Sequence, residues 1–205
     1  MMLELGPAPV HLIRGSDDEG SVLLPEDIET RSGVHGAFGF TLVDWGKIGR
    51  VLEDYQTALD CCRSTGTRRR EIWSLGLGAR GLLAAGRPAE AEVWLGECLR
   101  LLEQQYWIAF RPWPVALLSE ARLMQNVAAQ IVRPMLEESF ALSCQLMHPC
   151  WEGAVTRALA LTDAAEGNLA SAMESFKEVS KRCRRDINRF VGQQVNILVG
   201  NRIGR

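Results

Sequence analysis

The chain reads as an all-α solenoid of antiparallel helix pairs, about four pairs followed by a C-terminal helix, and three observations predict it. Apolar residues recur at three- and four-residue intervals in long blocks from about Gly33 onward, the period of an amphipathic helix. The breaks within successive pairs of blocks fall near Val43-Asp44, Gly86-Arg87, Val127-Ala128 and Gly167-Asn168, roughly 40 residues apart, a helical-repeat period. No segment alternates apolar and polar residues between tight turns as a strand would.

In chain order, residues 1–31 form an arm apart from the repeat domain, 32–205. The arm holds Pro7, Pro9, Pro25, Gly15, Gly20 and the acidic run Asp17-Asp18-Glu19, with no sustained apolar period. Only Val22 to Leu24 has the character of a strand. The blocks then pair as 34–43 with 45–63, 69–85 with 88–105, 113–126 with 128–147, and 150–166 with 168–184. The short links imply antiparallel neighbours. The third and fourth of these blocks join through Gly86-Arg87-Pro88, a turn followed by a proline where a first helical turn tolerates one. Ala91, Trp94, Leu95, Cys98, Leu99 and Leu102 then share one face. Asn168 can cap the block whose stripe is Ala172, Met173, Phe176 and Val179. The unpaired block 185–199 leaves Ile187, Phe190, Val191, Val195, Ile197 and Leu198 to be covered. It is expected to cap the array or to make a homodimer contact.

Bulk composition narrows the classes. With 47 % hydrophobic and 23 % charged residues, the 205-residue chain has the material for a core. A formal charge of −2 supplies no general field for a phosphate backbone, so direct nucleic-acid binding is not expected. The first fourteen residues lack the basic start and cleavage site of a signal peptide. No run of roughly 18 apolar residues offers a membrane span, and no membrane partner is expected. Six cysteines without a C-x-x-C pair read as reduced thiols, which places the chain in the cytoplasm.

Two segments after breaks are alike: Gly86-Arg87-Pro88-Ala89-Glu90-Ala91-Glu92-Val93-Trp94-Leu95 and Gly167-Asn168-Leu169-Ala170-Ser171-Ala172-Met173-Glu174-Ser175-Phe176. Glycine permits the turn, alanine lets helices approach, and the large apolar residue fills the groove. This resembles a tetratricopeptide repeat, which implies a right-handed α-solenoid with a concave groove. More narrowly, Val132-Arg133-Pro134-Met135-Leu136-Glu137-Glu138-Ser139-Phe140-Ala141-Leu142-Ser143, with His148-Pro149 and Trp151, is similar to the repeat region of bacterial LuxR-type ATPase transcriptional regulators. The likeness covers about residues 40 to 200, and that family's nucleotide-binding and helix-turn-helix domains are not recognisable here. One repeat departs from the pattern, with Val127 where glycine is expected and Pro134 early in its second helix, so a shifted start or a kink is expected there.

In the tetratricopeptide-like register, Trp73, Arg80, Leu117, Ala121, Arg157 and Leu161 face the concave groove, where such repeats hold partners. The competing reading is that Trp73, Trp113 and Trp151 fill the interfaces between successive pairs.

Other motifs have plainer explanations. Gly76-Leu77-Gly78-Ala79-Arg80-Gly81 matches the dinucleotide pattern, with Glu97 about 20 residues on, but no strand precedes it. Glycines that let helices pack closely explain it better. Gly39 to Ile48 approaches a phosphate loop but has the wrong glycine spacing and lacks the hydroxyl after Lys47. Cys144, His148 and Cys150 could supply three zinc ligands but lack a fourth, so no metal is expected. His11, His35 and His148 have no nucleophile beside them, and Glu137-Glu138 point about 100° apart on a helix. The basic runs Arg68-Arg69-Arg70 and Lys181-Arg182-Cys183-Arg184-Arg185 read as solvated helix ends.

The sequence therefore points to a non-enzymatic interaction or regulatory sensor module that binds a peptide, a protein or a small effector and needs no cofactor. The alternatives are a fragment of a DNA-binding transcriptional regulator, whose output domain lies elsewhere, and a small-molecule enzyme with an inter-helix pocket.

Overall fold

A computed structural model describes residues 48–181 of the chain. Its helices are α1 (Ile48–Thr65), α2 (Arg68–Ala84), α3 (Pro88–Gln104), α4 (Pro112–Met124), α5 (Ala129–Gln145), α6 (Pro149–Ala165) and α7 (169–181). A single 3-10 turn, Ile108–Phe110, leads into α4, and no strand occurs among the described residues. The arm 1–31, the helix expected at 34–43, the block 185–199, the Gly39 to Lys47 motif, His11, His35 and Cys183 lie outside the described residues.

From α2 to α6 the helix ends fall within two residues of the blocks read from apolar periodicity. Successive helices pack on each other from α1 through α6, and alternate ones also meet, α2 on α4 and α4 on α6. Sequence neighbours and next-but-one neighbours therefore supply most of the packing, as expected of a fold that grows by adding units.

One device closes every one of the first six helices. A residue in the left-handed region follows each, at Gly66, Gly86, Tyr106, Asn126, Met147 and Gly167, so the chain turns every 20 or 21 residues. The amide of the next residue then donates to a carbonyl five positions back: Thr67 to Cys62 at 3.0 Å, Arg87 to Leu82 at 2.9 Å, Trp107 to Leu102 at 3.1 Å, Val127 to Arg122 at 3.0 Å, His148 to Ser143 at 3.2 Å and Asn168 to Asp163 at 2.8 Å. These bonds satisfy carbonyls that a helix end would otherwise leave orphaned. Gly86 and Gly167 occupy equivalent places, with φ of 71° and 86°. The fourth such turn corrects the sequence reading, because the glycine-like position is Asn126 (φ 61°) and not Val127. Asparagine tolerates left-handed angles better than other non-glycine residues. The start of α5 shifts accordingly, and the helix runs through Pro134 to Gln145.

The core lies between the layers of helices. Leu95 and Ala91 of α3 meet Ala79, Leu82 and Leu83 of α2 and Leu117, Leu118 and Ala121 of α4. Farther along, Ala116 of α4 packs with Val132 and Leu136 of α5 and Val155 and Ala158 of α6. Two glycines let α2 approach its neighbours. A Cβ at Gly76 would stand 2.6 Å from Cζ3 of Trp113, and one at Gly78 2.2 Å from Cζ3 of Trp94, so an indole ring lies directly on the backbone at each. The G-x-G-x-x-G run thus sits wholly inside a helix, with no strand before it.

Ion pairs fasten one helix to the next. Glu71, 2 % exposed, accepts from Arg63 of α1 at 3.0 Å and from Arg68 at 2.7 Å. Burial pulls its carboxyl upward, yet the two guanidiniums outweigh that and hold it below the ordinary value. Glu92 on α3 accepts from Arg122 at 2.9 Å and Gln125 at 2.8 Å. Arg133 on α5 donates to Asp163 and Glu166 at the far end of α6, both at 2.6 Å, and Ser171 of α7 donates to Asp163 at 2.7 Å.

Candidate functional site

Helices α2, α4 and α6 are the first members of three successive expected pairs, and together they wall a cleft of about 420 Å³. Arg80, Leu83 and Ala84 come from α2, Trp113, Ala116, Leu117 and Glu120 from α4, and Ala154 and Arg157 from α6. Such a volume is near the lower end of ligand-pocket sizes, roughly 300–1,000 Å³. The walls hold their shape because their backbones are fixed from behind. Leu117 and Ala116 are 6 % and 4 % exposed and anchored in two separate core clusters. Trp113 is pinned by its ring on Gly76.

The polar groups of the cleft are two arginines and one glutamate. Arg157 meets Glu120 through two parallel bonds, from Nη1 to Oε2 at 2.5 Å and from Nη2 to Oε1 at 2.8 Å. This fork geometry fits a planar guanidinium to a carboxylate and links α6 to α4. The Glu120 hydrogen bonds raise the Arg157 pKa, against the opposing pull of burial. The Glu120 side chain is only 18 % exposed, whereas that of Arg157 is 49 % exposed and keeps a face toward solvent.

Of the six residues read from the sequence as groove-facing, three line this cleft: Arg80, Leu117 and Arg157. Ala121 is fully buried and packs against α2 and α3. Leu161 is half-buried on α6, one helical turn beyond Arg157, and is not in the cleft wall. Trp73 lies elsewhere, in an aromatic cluster. Its ring is 4.9 Å from Phe110 and 6.0 Å from Trp113, and it is 41 % exposed.

That cluster is centred on Phe110, 2 % exposed, which also touches Trp107 at 4.8 Å, Trp113 at 5.5 Å and Trp151 at 5.6 Å. Trp113 and Trp151 are 6.0 Å apart. The cluster joins the starts of α4 and α6 to α2, and of Trp73, Trp113 and Trp151 it is Trp113 that also reaches the cleft. The Arg69 guanidinium sits 5.5 Å over the Trp107 ring.

Sequence reasoning missed Glu120, Leu83, Ala84, Trp113, Ala116 and Ala154 as wall residues and Phe110 as the hub. Glu120 is three residues after Leu117 on the same helix face, the only signal that could have suggested it. At the turn before α6, His148 stacks on Trp151 at 4.5 Å and 7°, while Cys144 and Cys150 are exposed. Among the described residues no three histidine, cysteine, aspartate or glutamate side chains gather as a metal-binding set, and no helix is long and apolar enough to cross a membrane.

No protein-family model matches the chain, and no curated protein matches it.

Proposed function

We propose that the chain is a right-handed, tetratricopeptide-like solenoid of antiparallel helix pairs that acts as a non-enzymatic interaction or sensor module, holding a peptide, protein or small effector in the cleft on its first helices. The observation that carries this reading is the cleft itself, one concavity walled by three successive first helices, with Arg80, Leu117 and Arg157 in its wall. Antiparallel order within a pair is supported by the Cys98 thiol, in the second half of α3, which donates to the Ile72 carbonyl near the start of α2. Between pairs, Arg122 in the last turn of α4 reaches Glu92 near the start of α3, and Arg133 near the start of α5 reaches Asp163 and Glu166 at the end of α6. The near-regular spacing of six turns of the same kind supports a repeating unit. Affinity would come from a few apolar contacts with Leu83, Ala116 and Leu117 and from directed hydrogen bonds to guanidinium.

Ala84 is exposed at the cleft wall, so Ala84→Trp would obstruct the cleft without disturbing the core. A displayed random-peptide library selected on the wild-type protein should yield clones that bind it and fail on Ala84→Trp. If every selected clone bound both proteins equally, the cleft would not be the binding site.

A further inference from the structure

We infer that the acidic arm of the chain docks on the aromatic and basic surface at the start of α2 and the turn before α4 of its own molecule. Val22-Leu23-Leu24 would lie on Trp73 and Ile108, with the flanking carboxylates toward the guanidiniums. None of Arg69, Trp73, Trp107 and Ile108 lines the cleft, so the inference stands apart from the role proposed for it. Arg69 and Trp73 are four residues apart on α2 and share one face. Across that face the contacts are continuous: the Arg69 guanidinium lies 5.5 Å over Trp107, Trp107 is 4.8 Å from Phe110, and Phe110 is 4.9 Å from Trp73. Phe110 is buried beneath, whereas Trp73 is 41 % exposed and Ile108, from the same 3-10 turn as Phe110, is 59 % exposed. Two large apolar side chains thus meet solvent beside a cation.

The surroundings carry more positive than negative charge. Five guanidiniums, of Arg63, Arg68, Arg69, Arg100 and Arg111, stand against three carboxylates. Glu71 takes Arg63 and Arg68, Glu97 takes Arg100 and lies 4.0 Å from Arg63, and Glu103 takes Arg111. Among the described residues the contact of Arg69 is the Trp107 ring and not a carboxylate. The arm has the complementary order, Asp17-Asp18-Glu19, then Val22-Leu23-Leu24, then Glu26, Asp27 and Glu29. The other end of the chain has the wrong sign, with Arg182, Arg184, Arg185, Arg189, Arg202 and Arg205 against Asp186. Reach is sufficient. The described helices begin at Ile48, and α1 carries the chain about 27 Å from there to the end nearest Arg68. The stretch from Leu24 to Ile48 can span up to about 80 Å. A tethered segment meets its site at an effective concentration on the order of millimolar, so a weak contact is enough to populate it.

Hydroxyl-radical footprinting of the full chain, read by mass spectrometry, tests this with two arm variants. One is Leu23→Ser with Leu24→Ser, and the other neutralises the charges through Asp17→Asn, Asp18→Asn, Glu19→Gln, Glu26→Gln, Asp27→Asn and Glu29→Gln. A surface covered about two-thirds of the time should label about threefold more once released, so Trp73 and Ile108 should gain about that much in either variant. Val93, exposed on α3, should not change. Salt at about 0.5 M, where the Debye length is below about 5 Å, should raise Trp73 labelling in the wild-type protein and leave the neutralised variant as it was. Reversing the surface charge with Arg69→Glu should in turn expose Leu23 and Leu24 to labelling, and circular dichroism checks that each variant folds. Equal labelling of Trp73 in the wild-type protein and both arm variants would overturn the inference. Protection of Trp73 that vanished on tenfold dilution would overturn it in favour of the arm of a second copy. Equal labelling in all three proteins, with Trp73 protected only when a thymidine oligonucleotide is added, would overturn it in favour of single-stranded nucleic acid.

Discussion

Adding one methyl group at two glycines of neighbouring helices should move stability in opposite directions. Gly78 lies in α2 and Gly96 in α3, both in helix interiors, so alanine gains roughly 1 kcal/mol of helix propensity at either site. At Gly96 a Cβ meets nothing within 4 Å, so that gain stands alone. At Gly78 the Cβ would lie 2.2 Å from Cζ3 and 2.7 Å from Cε3 of Trp94. Carbon atoms pack at about 3.5 Å or more, so the ring must retreat by about 1.3 Å. Trp94 cannot swing freely, because its ring is packed against core clusters that include Leu82, Leu95 and Leu75. Overpacking of this kind costs about 1–3 kcal/mol, and a clash this short belongs at the upper end, which leaves Gly78→Ala destabilising by about 1–2 kcal/mol. Urea unfolding followed by far-UV circular dichroism should show midpoints displaced by roughly 0.5 M in opposite senses. A Gly78→Ala protein that gained stability as Gly96→Ala does would refute the placement of the indole on that backbone.

Other outcomes follow from the same geometry. Tyr106 and Met147 are held at φ of 51° and 50° with side chains 87 % and 83 % exposed, so Tyr106→Gly and Met147→Gly should each stabilise the fold by about 1 kcal/mol in thermal or urea unfolding. Gly86→Ala, with open space around its Cβ, should lose about 1 kcal/mol from backbone strain alone in the same assay. Burial pushes the Cys98 thiol up to about 12, and the thiol donates to the Ile72 carbonyl, so at about pH 8 a disulfide exchange reagent should label exposed Cys144 and Cys150 and reach Cys98 only after denaturation. Mass spectrometry of the labelled peptides reads this directly. Glu71, whose ordinary value is 4.5, has its folded pKa lowered, so the stability it contributes is full above that value and is lost as pH falls through the lower folded one. Acid unfolding of Glu71→Gln should therefore be less steep below about pH 4.5 than that of the wild-type protein.

Helix positions were legible in the sequence because the apolar stripe of each, such as Ala91, Leu95, Cys98 and Leu102, encodes its period directly. Two glycine turns were legible for the same reason, since Gly86 and Gly167 are the residue type their backbone angles favour. The turns at Tyr106, Asn126 and Met147 were not. Nothing about tyrosine or methionine signals a left-handed angle, and Asn126 was overlooked beside Val127. In the site, Arg80, Leu117 and Arg157 followed from helical register, but register does not say how deep a residue lies. Ala121, on the same helix as Leu117, points into the core, and Trp73 is drawn away by Phe110. Phe110 sits in a short 3-10 turn too brief to leave a periodic pattern, so the hub of the aromatic cluster appears only once the helices are assembled.

Hydrogen exchange on the full chain, with and without a peptide selected on the wild-type protein, tests most directly whether the first helices form the binding face. The account predicts added protection at residues 80–84, 113–120 and 154–157, in three separate helices, with none across the outer faces of α3 and α5. Protection confined to α3 and α5, or to a single helix, would contradict it.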